Sequence, residues 1–137
     1  MNHLTIQRQM GGPGEELTGL RLLVVEDDYL VAADLCNSLR RRGASIVGPA
    51  GNMRRGRELM RAERPDCALL DINLNGNLAF ELASELRANG IRTIFTTGYD
   101  SAFLPEQFQD APCLQKPVNL AALVKLIRNN AQPAHRG

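Results

Sequence analysis

The chain has 137 residues, 44% hydrophobic and 23% charged, with a formal net charge of +1. That length supports one domain around one core, and the near-zero charge excludes recruitment of nucleic acid or an anionic membrane by a global field. No stretch approaches the roughly eighteen apolar residues of a membrane span, and the N-terminus lacks a signal peptide's apolar core, so a cytoplasmic protein with no nucleic-acid or membrane partner is expected.

Residues 1–18 are polar, contain Gly11-Gly12-Pro13-Gly14, and read as a flexible N-terminal tail. Folded chain is expected over 19–130, with a short C-terminal tail over 131–137. The first strand spans about Leu20 to Val25 and ends on Glu26-Asp27-Asp28. Helix one, about Tyr29 to Arg42, places Ala32, Leu35, Cys36 and Leu39 on one face, and Gly43 ends it. Strand two covers about Ser45 to Gly48, and a weaker helix two covers Met53 to Ala62. Pro65 then clears the way for strand three, Cys67 to Leu70, which stops at Asp71. Helix three, about Leu78 to Ala88, turns Ala79, Leu82, Ala83 and Leu86 inward, with Gly90 at its end. Strand four spans Thr93 to Thr96, and a short helix four interrupted by Pro105 falls between Ser101 and Gln109. Strand five, Cys113 to Gln115, leads through Lys116-Pro117 into helix five, Leu120 to Asn129, which buries Leu120, Leu123, Val124 and Ile127. Five βα units in one small domain imply a parallel sheet with helices on both faces and right-handed crossovers.

Apolar runs that stop abruptly at charges read as buried parallel strands emptying at one sheet edge, where open α/β sheets place their chemistry. Glu26, Asp27, Asp71, Thr97 and Lys116 then converge. Carboxylates at about 5 Å repel by roughly 3 kcal/mol at an effective dielectric near 20. Lys116 relieves part of that repulsion, and an oxygen-loving cation such as Mg²⁺ relieves the rest. Glu26-Asp27-Asp28 also fits a helix N-terminal signal, and Asp71 with the polar turn Ile72-Asn73-Leu74-Asn75-Gly76 also fits a capped loop. The functional alternative is a carboxylate nucleophile of the kind that forms an aspartyl phosphate. Cys36, Cys67 and Cys113 match no metal-ligand spacing and read as buried, reduced thiols. The arginines at 40–42, 54, 55, 57, 61 and 64 read as a solvated helix face and as cations at helix C-termini.

Val24-Val25-Glu26-Asp27, Leu69-Leu70-Asp71, Thr97 and Lys116-Pro117 together resemble the receiver domain of two-component response regulators over about Leu20 to Asn130. The resemblance implies a flavodoxin-like (βα)5 fold with strand order 2-1-3-4-5, and a receiver domain over 19–130. It implies Asp71 as phosphoacceptor with Thr97 and Lys116 in support. It also implies Mg²⁺ held by Asp27, Asp71 and the Asn73 carbonyl, with Glu26 acting largely through water. The partners implied are a histidine kinase or histidine phosphotransferase and a downstream protein not specified by the sequence. The protein would be a phosphoacceptor and not an enzyme, signalling by protein contact or as a phosphate sink. It would be a monomer, or a weak dimer through the helix 4/strand 5/helix 5 face. Phe95-Thr96-Thr97-Gly98-Tyr99 is similar to the signature of the alphaproteobacterial single-domain receivers nicknamed FATGUY, which implies a kinase of the HWE type.

The chain departs from the family pattern in places. Asn75 and Ala79 replace a customary proline and glycine, which implies a rearranged loop after Asp71, and Cys113 replaces the aromatic residue customary before the lysine. Asn73 and Tyr99 occupy positions that in receivers influence hydrolysis of the acyl phosphate. Two other readings compete. One is a receiver-like interaction module that works unphosphorylated. The other is an aspartyl-phosphate phosphatase of haloacid-dehalogenase type, which needs a second aspartate where this chain has Asn73.

Overall fold

A computed structural model of the chain describes residues 14–98 and 104–131. Its elements are β1 (Arg21–Val25), α1 (Tyr29–Arg41), β2 (Ser45–Ala50), α2 (Met53–Glu63), β3 (Cys67–Asp71), β4 (Asn73–Leu74), β5 (Asn77–Leu78), α3 (Phe80–Ala88), β6 (Arg92–Thr97), β7 (Cys113–Gln115) and α4 (Leu120–Asn130). Five parallel strands form one sheet in the order β2-β1-β3-β6-β7. With the small β4-β5 hairpin set aside, this is the expected 2-1-3-4-5 order of a flavodoxin-like sheet.

Side chains alternate across the pleat, so each central strand feeds two cores. Leu23, Val25, Ala68, Leu70 and Phe95 pack with Met60 of α2 and with Leu82, Ala83 and Leu86 of α3. Leu22, Val24, Cys67, Leu69 and Ile94 pack with Cys36 and Leu39 of α1 and with Leu123, Val124 and Ile127 of α4. Every residue of β3 is buried, as a strand covered on both faces must be. At Gly56 of α2, a Cβ would lie 2.9 Å from Leu82 Cδ2 and 3.2 Å from Val25 Cγ2, so the missing side chain lets α2 approach the sheet.

The structure revises several sequence expectations. Leu17, placed in a tail, is fully buried, its N–H donates to the Arg42 carbonyl at 2.8 Å, and Glu16 pairs with Arg42 at 2.6 Å. Residues 14–18 are therefore docked against the end of α1, and residues 1–13 lie outside the described residues. Strand two runs on through Pro49, which an edge strand tolerates because its N–H side can go unpaired. Helix three starts at Phe80 because Asn77–Leu78 pairs with Asn73–Leu74 instead. Among the described residues, the stretch assigned to helix four holds only a 3-10 turn, Glu106–Phe108, positioned by Pro105. Leu35, Leu120 and Cys113 are half-buried rather than buried.

Candidate functional site

The carboxyl ends of β1, β3, β6 and the β7–α4 turn carry the site. Glu26 follows β1, Asp71 ends β3 and Thr97 ends β6, and all three are buried. The Lys116 N–H donates to the Thr97 carbonyl at 2.8 Å, extending the β6–β7 pairing by one residue and fixing the lysine beside that strand end. Lys116 Nζ then reaches across the edge, 2.7 Å from Asp71 Oδ2 and hydrogen-bonded to Glu26 Oε1.

The acidic run after β1 divides its work. Asp28 is the helix N-cap: its Oδ1 accepts from the Leu30 and Val31 N–H groups at 3.0 and 3.2 Å. Glu26 turns inward instead, its Oε2 accepting from the Asp28 N–H at 3.0 Å. Asp27 is half-buried, and its Oδ2 accepts from the Asn75 N–H at 2.9 Å. The capping reading of that run thus holds for Asp28, while Glu26 and Asp27 turn toward the strand ends instead.

Asn75 was missed as a site residue. It stands with Gly76 at the tip of the β4-β5 hairpin, where both have positive φ, 53° and 86°. Asn-Gly between short strands is the strongest short-range signal for such a hairpin, and it was available in the sequence. The turn is tied at both ends: the Gly76 N–H donates to Asn73 Oδ1 at 2.7 Å, and the Asn73 N–H donates to Asp71 Oδ1 at 3.1 Å.

Carboxylate oxygens of Glu26, Asp27 and Asp71 lie within 4.8 Å of one another. At that separation each pair repels by about 3 kcal/mol at an effective dielectric near 20. The protein answers with charge displacement. Burial pushes the Glu26 carboxyl up to about 7, against the Asp28 N–H and Lys116, which favour its ionised form. Asp27 moves the other way: burial opposes its charge, but hydrogen bonds from Glu26 and the Asn75 N–H hold its carboxyl below the usual range. Lys116 is held above the usual lysine value because Asp71 and Glu26 outweigh its partial burial. An all-oxygen donor set of this size, part solvent-facing, suits a hard divalent cation that keeps several waters.

Tyr99 lies outside the described residues. Cys113 pairs in register with Phe95 and is half-buried. No described helix is long and apolar enough to cross a membrane.

Residues 22–128 match the model of the response regulator receiver domain. Among curated proteins, the transcriptional regulatory protein PdtaR of Mycobacterium tuberculosis is 32% identical over 111 residues, covering 78% of this chain and 54% of PdtaR. The chain thus spans about half the length of the curated relatives it matches. Among solved structures, the response regulator PhyR from Brucella abortus superposes with a TM-score of 0.73 at 27% identity, covering 86% of this chain and 49% of that one. A Burkholderia pseudomallei response regulator, crystallised with a phosphorylated aspartic acid, calcium ion and citrate, gives 0.70 at 25% identity over 82% of this chain and 66% of its own. Receiver domains accept phosphoryl groups in two-component signalling and work with histidine kinases or phosphotransferases. With the model matched across nearly the whole described fold, the chain belongs to the response regulator receiver domain family.

Proposed function

We propose that Asp71 is the phosphoacceptor of a Mg²⁺-dependent receiver that passes its signal by protein contact or serves as a phosphate sink. The observation that carries this reading is Lys116 Nζ seated between Asp71 and Glu26 at the strand ends, beside the buried Thr97. A carboxylate oxygen of Asp71 attacks phosphorus of a phosphohistidine, the new P–O bond forms as the P–N bond breaks, and the departing imidazole keeps the electron pair and takes a proton from water. Lys116 then turns its N–H donors to a phosphoryl oxygen, and the Thr97 hydroxyl donates to another. Asp27, Asp71 and the Asn73 carbonyl would hold Mg²⁺, with Glu26 acting largely through water, and the ion would neutralise charge on the phosphoryl oxygens. The chain's own contribution is to fix the nucleophile. Asp71 is clamped through Oδ1 by the Asn73 N–H and through Oδ2 by Lys116, and so needs little reorientation before attack.

The Phe95-Thr96-Thr97-Gly98-Tyr99 run supports a finer placement beside the FATGUY single-domain receivers and a kinase of the HWE type. Each charge-assisted contact that phosphorylation adds is worth roughly 1.5–3 kcal/mol. Complete inversion of a 1:99 equilibrium needs about 5.5 kcal/mol. Lys116 gives up its bonds to Asp71 and Glu26 to reach the phosphoryl group. The net gain of the two contacts, about 2–4 kcal/mol after exchange and ordering, therefore gives a graded shift in the surface of the 3-10 turn, β7 and α4, through which a downstream protein or a weak dimer partner would read the state. Intact-mass analysis after incubation with acetyl phosphate and Mg²⁺ tests the chemistry. A single added phosphoryl group, lost in Asp71→Ala, supports the reading, and an unmodified wild type overturns it.

A further inference from the structure

Cys113 deprives this receiver of the aromatic side chain on β7, but three rings lie one strand away. Phe95 of β6 meets Phe108 of the 3-10 turn edge-on, with centroids 5.4 Å apart at 74°. It meets Phe80, the first residue of α3, at 6.1 Å and 69°. Phe80 and Phe108 stack at 5.9 Å and 19°, closing the triangle. Two of the rings are wired to the acidic edge through backbone. Phe95 is two residues before Thr97 and therefore on the same face of β6. Phe80 directly follows Ala79, whose N–H donates at 2.8 Å to the carbonyl of Ile72, the residue after Asp71.

The third ring, Phe108, is itself fully buried, but the turn that carries it lies at the surface, with Gln107 and Gln109 exposed on either side. Residues 105–112 are held by one 3-10 turn, by the Phe95 N–H donating to the Pro112 carbonyl at 2.9 Å, and by Arg87 of α3. Arg87 lies 4.6 Å over the Phe108 ring and donates to the Gln107 carbonyl at 2.5 Å. A cleft of about 400 Å³ separates this segment from the end of α3, walled by Arg87, Ile91, Phe108, Ala111 and Pro112. Among the described residues, most backbone bonds of this segment close within its own turn, and the Pro112 carbonyl ties it to β6. Open volume beside it gives it room to re-seat, and the close-packed rings behind it transmit displacement.

We propose that the Phe80–Phe95–Phe108 triangle couples the acidic edge to the surface, so that occupancy of the Asp71 site re-seats residues 105–112 and reshapes the cleft behind Phe108. This inference rests on Asp71 being the phosphoacceptor. A shift of β6 at Thr97 moves Phe95, a shift of the β4-β5 hairpin moves Phe80, and both rings press on Phe108. Cys113 packs against the same cluster but is too short to swing between two seats.

Amide NMR of the full chain in Mg²⁺, with and without beryllofluoride, tests it. In wild type, shifts are expected at 71–76 and 116, which report the site, and again at 105–112, which report the segment. In Phe95→Leu the site shifts persist while the response at 105–112 falls roughly twofold or more. If that variant does not fold, Phe80→Leu, half-buried at its helix start, carries the same expectation. Site shifts with a silent 105–112 in wild type overturn the coupling while leaving the phosphoacceptor reading intact. So does an undiminished response in a folded variant. Absent site shifts defeat the phosphoacceptor reading, and the coupling with it.

Discussion

Replacing Lys116 with alanine removes the one counter-charge that Glu26 and Asp71 are shown to share. The side chains of Glu26 and Asp71 are only 4% and 6% exposed, so neither carboxylate regains full hydration. Removing one member of a buried ion pair costs about 3–5 kcal/mol. Lys116 is itself 25% exposed, and solvent screening lowers that range to about 2–3 kcal/mol. Glu26 limits the loss further by holding a proton, since its carboxyl is already pushed up to about 7. Urea unfolding of Lys116→Ala in mildly alkaline buffer with EDTA should therefore show a loss of about 2 kcal/mol. In excess Mg²⁺ the dication supplies the missing positive charge, and the loss should fall below about 1 kcal/mol. An equal loss in EDTA and in Mg²⁺ would refute the reasoning, because the lysine would then matter for packing and not for charge.

Without metal, the folded state keeps the Glu26 proton where the unfolded chain has released it. Its contribution to stability therefore falls as pH rises from about 4.5 to about 7, and Glu26→Gln, which keeps an acceptor for Lys116, should flatten that slope; matching slopes for wild type and variant in EDTA would contradict this. Gly56→Ala would ordinarily gain about 1 kcal/mol of helix propensity. Here the added carbon meets Leu82 and Val25 in a filled core, so thermal or urea unfolding should show a net loss of about 1–2 kcal/mol; a stabilised variant would show that α2 can lift away freely. Leu17→Ala should cost about 2–4 kcal/mol, as a fully buried side chain does; a loss near zero would return residues 14–18 to a tail.

The sheet was legible because its strands are apolar runs that end at charges, and the strand-end acids and lysine came with it. Cys67-Ala68-Leu69-Leu70-Asp71 reads as an inner strand that delivers a carboxylate to an edge, and the structure buries all of β3. What the pattern could not show was tertiary. Leu17 stands alone among the polar residues and glycine of 14–18, with no periodicity to mark it, and only its packing in the cluster with Cys36 and Leu39 of α1 explains its burial. Over 104–109, the described part of the stretch assigned to helix four, Pro105 opens a 3-10 turn, Glu106–Phe108, anchored by the buried Phe108. The division of labour among Glu26, Asp27 and Asp28 was equally hidden, since three adjacent acids carry no sign of which will cap α1. The Asn75-Gly76 hairpin is different: its signal, an Asn-Gly pair between two short strands, is local and explicit.

The central claim is that the protein concentrates its acidic edge on one nucleophilic carboxylate. Borohydride reduction after acetyl phosphate treatment, followed by peptide mass spectrometry, reads that carboxylate directly, because an acyl phosphate is reduced to an alcohol where a free carboxylate is not. Reduction is expected at Asp71 alone, and it is expected to be lost when Mg²⁺ is chelated. Reduction at Asp27 or Glu26 instead, or none at position 71 in protein shown to be folded, would contradict it.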